Sequence, residues 1–249
     1  MTFSVLMSVY QKETADNLEQ CFESIWTRQT LRPDAVVLVR DGELNDGLNR
    51  VITQWKESLQ DRLVLLDNER NSGLTVSLNK GLAVVQTDLV ARMDTDDISL
   101  PDRFEKQVRY LEEHPEVAVL GGSIQEFDEN SDCLVVRHYP KSNVAKFMAK
   151  ASPVAHPVVM MRMELFREGG ISYNEKYRVS QDIALWYDIV KAGYQITNLP
   201  DVLLKFRRSG EVIVNRSREK AKGEFEIYMK GIRSLHGILT WRYVYPIAR

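Results

Sequence analysis

Along the first half of the chain, short unbroken apolar runs alternate with stretches whose apolar residues recur at helical spacing. Phe3 to Val9 is a nearly continuous apolar run, as expected of a strand buried on both faces. Asp16 to Gln29 then reads as a helix, with Leu18, Phe22, Ile25 and Trp26 on one stripe. Asp34 to Val39 predicts a second strand, ending at Arg40-Asp41-Gly42, and Leu48 to Leu59 a second helix. Leu63 to Leu66 is a third strand, Ser72 to Val85 a third helix, and Asp88 to Met93 a fourth strand. Pro101 suits the first turn of the next helix, with Ser99 as its cap, and Val117 to Leu120 follows as a fifth strand.

Such alternation predicts an α/β fold, a mostly parallel sheet flanked by helices. Ligands of these sheets bind beyond the carboxyl ends of the strands. Four polar segments should therefore meet at one rim: Ser8 to Tyr10, Asp41-Gly42, Asn68 to Gly73, and Asp94 to Asp97.

After Gly121 the pattern loosens. Short strands are expected over Ser123 to Phe127, Leu134 to Tyr139 and Val154 to Met161, with a small helix near Val144 to Lys150. Gln181 to Ala192 is a strong helix closed by Gly193. From Ser209 the chain is basic with interleaved aromatics. The expected organisation is one domain over residues 1–210 (halves at about 1–120 and 121–210) and a helical tail over 211–249.

Composition adds bounds. The 249 residues are 44% hydrophobic and 27% charged, enough for a core without disulfides or a structural metal. A net charge of -2 argues against bulk nucleic-acid binding. Cys21 and Cys133 form no metal pattern and suit a reducing cytoplasm. The start of the chain has no basic segment followed by a long apolar one, so neither signal peptide nor membrane span is expected.

The sharpest chemical feature is Arg92-Met93-Asp94-Thr95-Asp96-Asp97, directly after a strand. Three carboxylates in four residues repel one another unless a cation sits among them. Hard oxygen ligands of this kind suit Mg2+ or Mn2+ together with substrate phosphates. The plainer reading is an Asp-rich helix start, which accounts for Asp97 but not for all three. Asp41 before Gly42 fits either an Asp-Gly turn or an acceptor for a pyrimidine ring N–H. Tyr10 fits a base-stacking role or strand-end packing, and Asn71 and Gly73 a close backbone approach or an ordinary helix entry. Arg92 pairs with Asp94 or with a phosphate.

Taken in order, these segments resemble family 2 glycosyltransferases, inverting enzymes of GT-A fold, over Phe3 to about Leu204. Val5 to Tyr10 matches the opening strand, with Ser8 where proline is usual. Val39-Arg40-Asp41-Gly42 and the segment from Asn71-Ser72-Gly73 to Asn79-Lys80-Gly81 match the nucleotide-flanking motifs. Asp94-Thr95-Asp96 resembles the DXD motif. Gln181-Asp182-Ile183-Ala184-Leu185-Trp186 resembles the segment that carries the catalytic base, with Gln181 in place of glutamate. The nearest resemblance is to bacterial enzymes of exopolysaccharide and O-antigen synthesis.

The resemblance implies a UDP-sugar donor, UDP-glucose or UDP-galactose, and a saccharide acceptor carried on polyprenyl diphosphate. It implies nucleotide-sugar contacts from Ser8, Tyr10, Asp41, Asn71, Gly73, Arg92 and Asp94. Mn2+ or Mg2+ would lie on Asp96 and Asp94, and Asp182 would be the general base. Trp186 lies under the acceptor sugar or in the core. His156 is a hydrogen-bonded structural histidine, a sugar contact or a metal ligand, and Gln181 is a further acceptor contact. The basic-aromatic tail covers the acceptor side, rests on anionic lipid at the inner face of the cell membrane, or is a solvated helix. Two other classes compete. A nucleotidyltransferase would need a glycine-rich phosphate loop, and Gln11-Lys12-Glu13-Thr14 contains no glycine. A non-catalytic nucleotide-sugar module would not need both the acidic triplet and Asp182.

Overall fold

The computed structural model describes residues 1–128, 131–208 and 218–247, with side chains from 135 and 221 onward in the latter two segments. The expected domain boundary near residue 210, the start of the basic tail and the side chain of Cys133 lie outside the described residues. Cys21 is a buried free thiol.

Four strands form the parallel half of the sheet: β1 (Phe3–Val9), β2 (Ala35–Asp41), β3 (Leu63–Asn68) and β4 (Leu89–Arg92). Their spatial order is β3-β2-β1-β4, every pair parallel. Both faces of β1 are buried, which is why it reads as one apolar run. Val5, Met7 and Val9 face a core layer with α1 (Ala15–Phe22), α2 (Asp46–Leu59) and α4 (Arg103–Glu113). Leu6 faces the other layer with α3 (Leu74–Leu82), α7 (Gln181–Lys191) and α8 (Arg218–His236). This mixed α/β architecture, a parallel half-sheet flanked by helices, is the α/β class expected.

The sheet continues as β4-β8-β6-β9-β5, through β5 (Ile98–Ser99), β6 (Val117–Asp128), β8 (Met160–Arg162) and β9 (Gln195–Arg207), with β7 (Ser131–Arg137) paired to β6. Several expectations are corrected here. Val117–Leu120 and Ser123–Phe127 are one strand, not two, because Gly121-Gly122 does not break it. A Cβ on Gly121 would lie 2.2 Å from Asn198 Oδ1, and one on Gly122 2.5 Å from Leu203. Those glycines let β9 approach. Strand β9 itself has no clean sequence signal, since Pro200 interrupts it. The register jumps from Gly121↔Asn198 to Ser123↔Val202, so Pro200 falls in a bulge, where its carbonyl accepts from Ser123 Oγ at 3.0 Å.

Ser99 is not a helix cap. It belongs to β5, where its N–H donates to Ser24 Oγ at 3.0 Å, and α4 begins after Asp102. The segment expected as a strand from Val154 holds a 3-10 turn at His156–Val158 before the short β8. Small helices stand at α5 (Val144–Phe147), α6 (Glu164–Arg167) and α9 (Val244–Ile247).

At the end of α7, Gly193 N–H bonds to Val190 O and Tyr194 N–H to Ile189 O, the paired bonds of a Schellman cap. Helix α8 docks on α7 through the Tyr187–Tyr228 edge contact, with Ile227 and Ile232 buried. A Cβ on Gly231 would lie 2.4 Å from the Tyr187 ring, so glycine sets the closeness of the two helices. Burying each isoleucine contributes about 2 kcal/mol. Among the described residues no helix is long and apolar enough to cross a membrane.

Candidate active site

The carboxyl ends of β1, β2 and β4 open onto a cleft of about 790 Å³. Ser8, Tyr10, Asp41, Asn71, Gly73, Asp94 and Asp96 all line it, so the four polar segments do share one rim.

Asp41 ends β2, and Gly42 follows with φ +87°; a Cβ there would lie 2.6 Å from Asn71 N, so the turn needs glycine twice over. The buried Asp41 carboxylate accepts from Ser72 N–H at 2.8 Å, Gly73 N–H at 2.9 Å and Asn68 Nδ2 at 2.8 Å. It thus holds the entry to α3 against the sheet, at the positive end of the helix. Gly73 has φ +93°, so α3 starts at Leu74 and not at Ser72. A carboxylate has about four acceptor sites. Oδ2 receives only the Gly73 N–H among the described hydrogen bonds.

The acidic loop is held from behind. Arg103, wholly buried, donates to Arg92 O at 2.8 Å and Met93 Sδ at 3.2 Å, while Gln107 carries its Nε–H at 3.1 Å. Arg207 Nε–H donates to Asp96 O at 2.8 Å, and Cys21 Sγ–H to Asp94 O at 3.4 Å. With the backbone fixed, carboxylate oxygens of Asp94, Asp96 and Asp97 lie within 4.8 Å of one another. Burial, then the Asp94 and Glu13 charges, push the Asp96 carboxyl up to about 6. Burial, then Asp94 and Asp96, raise Asp97 well above the carboxylate range.

Asp97 does not cap a helix: its Oδ1 accepts the Arg207 N–H at 2.9 Å, and its buried Oδ2 has no hydrogen-bond partner among the described residues. Crowded, proton-retaining carboxylates with an unsatisfied buried oxygen are a donor set that fits a divalent cation.

Arg92 is buried and forms an ion pair with Asp94. Asp182, in the first turn of α7, lies outside the cleft lining but near enough for Arg92 and Asp94 to act on its charge. Burial raises the Asp182 carboxyl, opposed by the Ile183 N–H and by Arg92. His156 bonds through Nε2 to Tyr173 Oη at 2.7 Å, and burial and Arg92 hold it well below the usual histidine range, hence neutral. Its ring also meets that of Tyr173 edge-on, with centroids 5.5 Å apart. Trp186 is wholly buried, with its ring 6.0 Å from that of His156, so it has no face for a sugar. Gln181 is buried too. Gln181 and Trp186 lie on the inner stripe of α7, which faces the core, and His156 stands beside Trp186 from the turn before β8.

The description "Glycosyl transferase family 2" belongs to the family model that matches residues 4–170. The chain belongs to this family. It is 42% identical over 230 residues to the amylovoran biosynthesis glycosyltransferase AmsE of Erwinia amylovora, covering 91% of this chain and 84% of that one. It is 35% identical over 217 residues to the UDP-Gal:alpha-D-GlcNAc-diphosphoundecaprenol beta-1,3-galactosyltransferase of Escherichia coli, covering 86% and 77%. In fold it resembles S. aureus TarS 1-349 solved with UDP-GlcNAc, with TM-score 0.72 and 19% identity over 95% of this chain and 68% of that one.

The cleft of this glycosyltransferase also contains residues that sequence reasoning missed. Glu13 lines it and accepts from Thr95 Oγ1 at 3.0 Å, adding a fourth carboxylate beside the acidic loop. Phe206 and Arg207 enter from the end of β9. Glu13 was legible as an acid just past the first strand; Arg207 became so only once β9 was paired to β6.

Proposed function

We propose that the chain transfers a hexose from UDP-glucose or UDP-galactose to a hydroxyl of a saccharide acceptor carried on polyprenyl diphosphate, in bacterial cell-surface polysaccharide synthesis. The names of the E. amylovora and E. coli relatives support the pathway, the UDP-sugar and the lipid-linked acceptor. The observation that carries the reading is that Tyr10 and Asp41 line the same cleft as the acidic loop. In this reading residues 1–210 are the transferase domain, with donor and acceptor halves meeting near residue 120, and 211–249 are the tail.

Tyr10, at the cleft mouth, packs on the uracil face, and Asp41 accepts the ring N–H on its remaining Oδ2 site. Asn71 and Gly73 give the nucleotide a backbone edge, with Ser8 beneath it. Asp94 and Asp96, with Asp97 behind, would hold Mn2+ or Mg2+. A divalent ion there would neutralise charge developing on the departing nucleoside diphosphate. Arg92 fixes the Asp94 carboxylate by pairing with it. Asp182 takes the acceptor hydroxyl proton while that oxygen bonds to the anomeric carbon from the face opposite the diphosphate. The bond from that carbon to the diphosphate oxygen breaks with its electron pair, and the configuration inverts. The test is transfer to a lipid-linked acceptor from a panel of UDP-, GDP- and ADP-sugars with Mn2+, read by NMR of the anomeric proton. Inverted product from a UDP-sugar is expected; retained configuration, or a GDP-sugar as best donor, would overturn the reading.

A further inference from the structure

Twelve large hydrophobic residues are exposed among the described residues, and five of them crowd into the ten residues from Ile238 to Ile247. Ile238 is 66% exposed, Leu239 100%, Trp241 66% and Ile247 68%. Single exposed apolar residues are ordinary, but a contiguous set marks an interaction face. This set is also held in place. His236 meets Ala145 O at 3.0 Å, Tyr187 Oη–H donates to Met148 O at 2.9 Å, and Thr240 caps the turn that carries Trp241.

The neighbouring charges are of one sign. Beside the apolar set is a groove of about 320 Å³ whose cations are Lys146, Lys150 and Arg242. Lys150 Nζ lies 5.2 Å from the Tyr245 ring centre, and the Arg242 guanidinium 5.5 Å from that of Trp241. Neither segment that builds the face contains an acid: there is no Asp or Glu from Leu134 to Met163, nor from Ile227 to Arg249. Apolar side chains, interfacial aromatics and cations without acids match an anionic lipid surface. They do not match a second copy of the chain, whose same face would bring cations against cations.

We infer that the face formed by residues 238–247 and the Lys146–Lys150 edge docks this glycosyltransferase on an anionic bilayer, with Leu239, Trp241 and Ile247 entering the acyl boundary. The inference names the surface that a lipid-linked acceptor would require, and in that sense rests on the function proposed above. Helix α8, which ends at this face, packs on α7, whose first turn carries Asp182.

The experiment is flotation of the full chain with vesicles of phosphatidylglycerol and phosphatidylcholine, and with phosphatidylcholine alone. Binding to the anionic vesicles, weakened by salt, is expected. Lys146→Gln/Lys150→Gln/Arg242→Gln should lower partitioning roughly a hundredfold, about fivefold per charge. Leu239→Glu/Ile247→Glu should abolish it. Both variants change surface positions, so thermal unfolding should match the parent, and transfer to a water-soluble acceptor should be unchanged. Equal partitioning to both vesicle types, retention by the glutamate variant, or a dimer in light scattering that this variant dissociates would overturn the inference. Loss of transfer activity in the parent chain with vesicle binding intact would instead count against the proposed function.

Discussion

Arg92 and Asp94 stand two residues apart at the end of β4 and form an ion pair, the guanidinium buried and the carboxylate at the edge of the cleft. Arg92 Nε and Nη1 have no hydrogen-bond partner among the described residues, so Asp94 is the carboxylate on which this buried charge depends. At Asp96 and Asp97 burial and the neighbouring acids outweigh the pull of Arg92, and their carboxyls are raised. One loop therefore contains an acid that stabilises the fold and acids that strain it.

Opposite signs follow for neighbouring substitutions. Asp94→Asn should destabilise the metal-free protein by about 3 kcal/mol, because it leaves a buried guanidinium uncompensated. Asp96→Asn should raise metal-free stability, because it removes a repelled carboxylate, while abolishing transfer. Urea unfolding in chelator, beside an activity assay, checks both. Equal losses of stability would refute the division of roles.

The pH dependence carries a definite sign. Asp96 titrates at about 6 in the folded chain, against about 3.9 unfolded. The metal-free folded state therefore holds the extra proton, and its stability falls as pH rises from about 4 to about 6. A cation binds the deprotonated form. The gain in Tm on adding Mn2+ should therefore widen from about pH 5 to about pH 7 and then level off. Thermal melts with and without Mn2+ at each pH measure it, and a gain that shrank over this range would contradict the assignment of Asp96.

Asp182→Asn should reduce kcat by about a hundredfold to ten-thousandfold while leaving donor KM nearly unchanged. The residue lies outside the cleft lining, and in the proposed mechanism it acts on the acceptor. A large rise in donor KM would place it in the nucleotide site instead.

Asp41→Asn replaces a carboxylate that accepts from Ser72 N–H and Gly73 N–H. Because hydrogen bonds to charged groups contribute about 1.5–3 kcal/mol each, a stability loss of about 2 kcal/mol is expected without any nucleotide present. Calorimetry should show weakened UDP binding as well. A variant of full stability would mean that the α3 entry is held by other bonds.

How much of this was legible beforehand depends on where the physical signal lay. Strands β1, β2 and β4 are short and apolar because both their faces are covered, and the edge strand β3 keeps the apolar run Leu63 to Leu66, so each announces itself locally. The acidic triplet and Asp41-Gly42 were legible for a similar reason: charge crowding and a required positive φ are properties of adjacent residues. The sequence by itself thus determined the parallel half-sheet, the rim at its carboxyl ends and the identity of the acids there.

Tertiary structure alone decided the rest. Gly121 and Gly122 look like a strand break and act as a contact surface, because what they approach is Asn198 and Leu203, nearly eighty residues on. Pro200 looks like a strand terminator, yet the bulge opposite Gly122 accommodates it and carries β9 through to Arg207. Asp97 looks like a helix cap, but its partner is the backbone of Arg207, brought beside it only by the β5–β9 pairing. Trp186 sits at the helical spacing of a sugar platform, and the face of α7 that it occupies was settled by packing against β-sheet and α8. Local pattern reports what a residue's neighbours in sequence require; which distant group completes a bond or fills a space is a property of the folded chain.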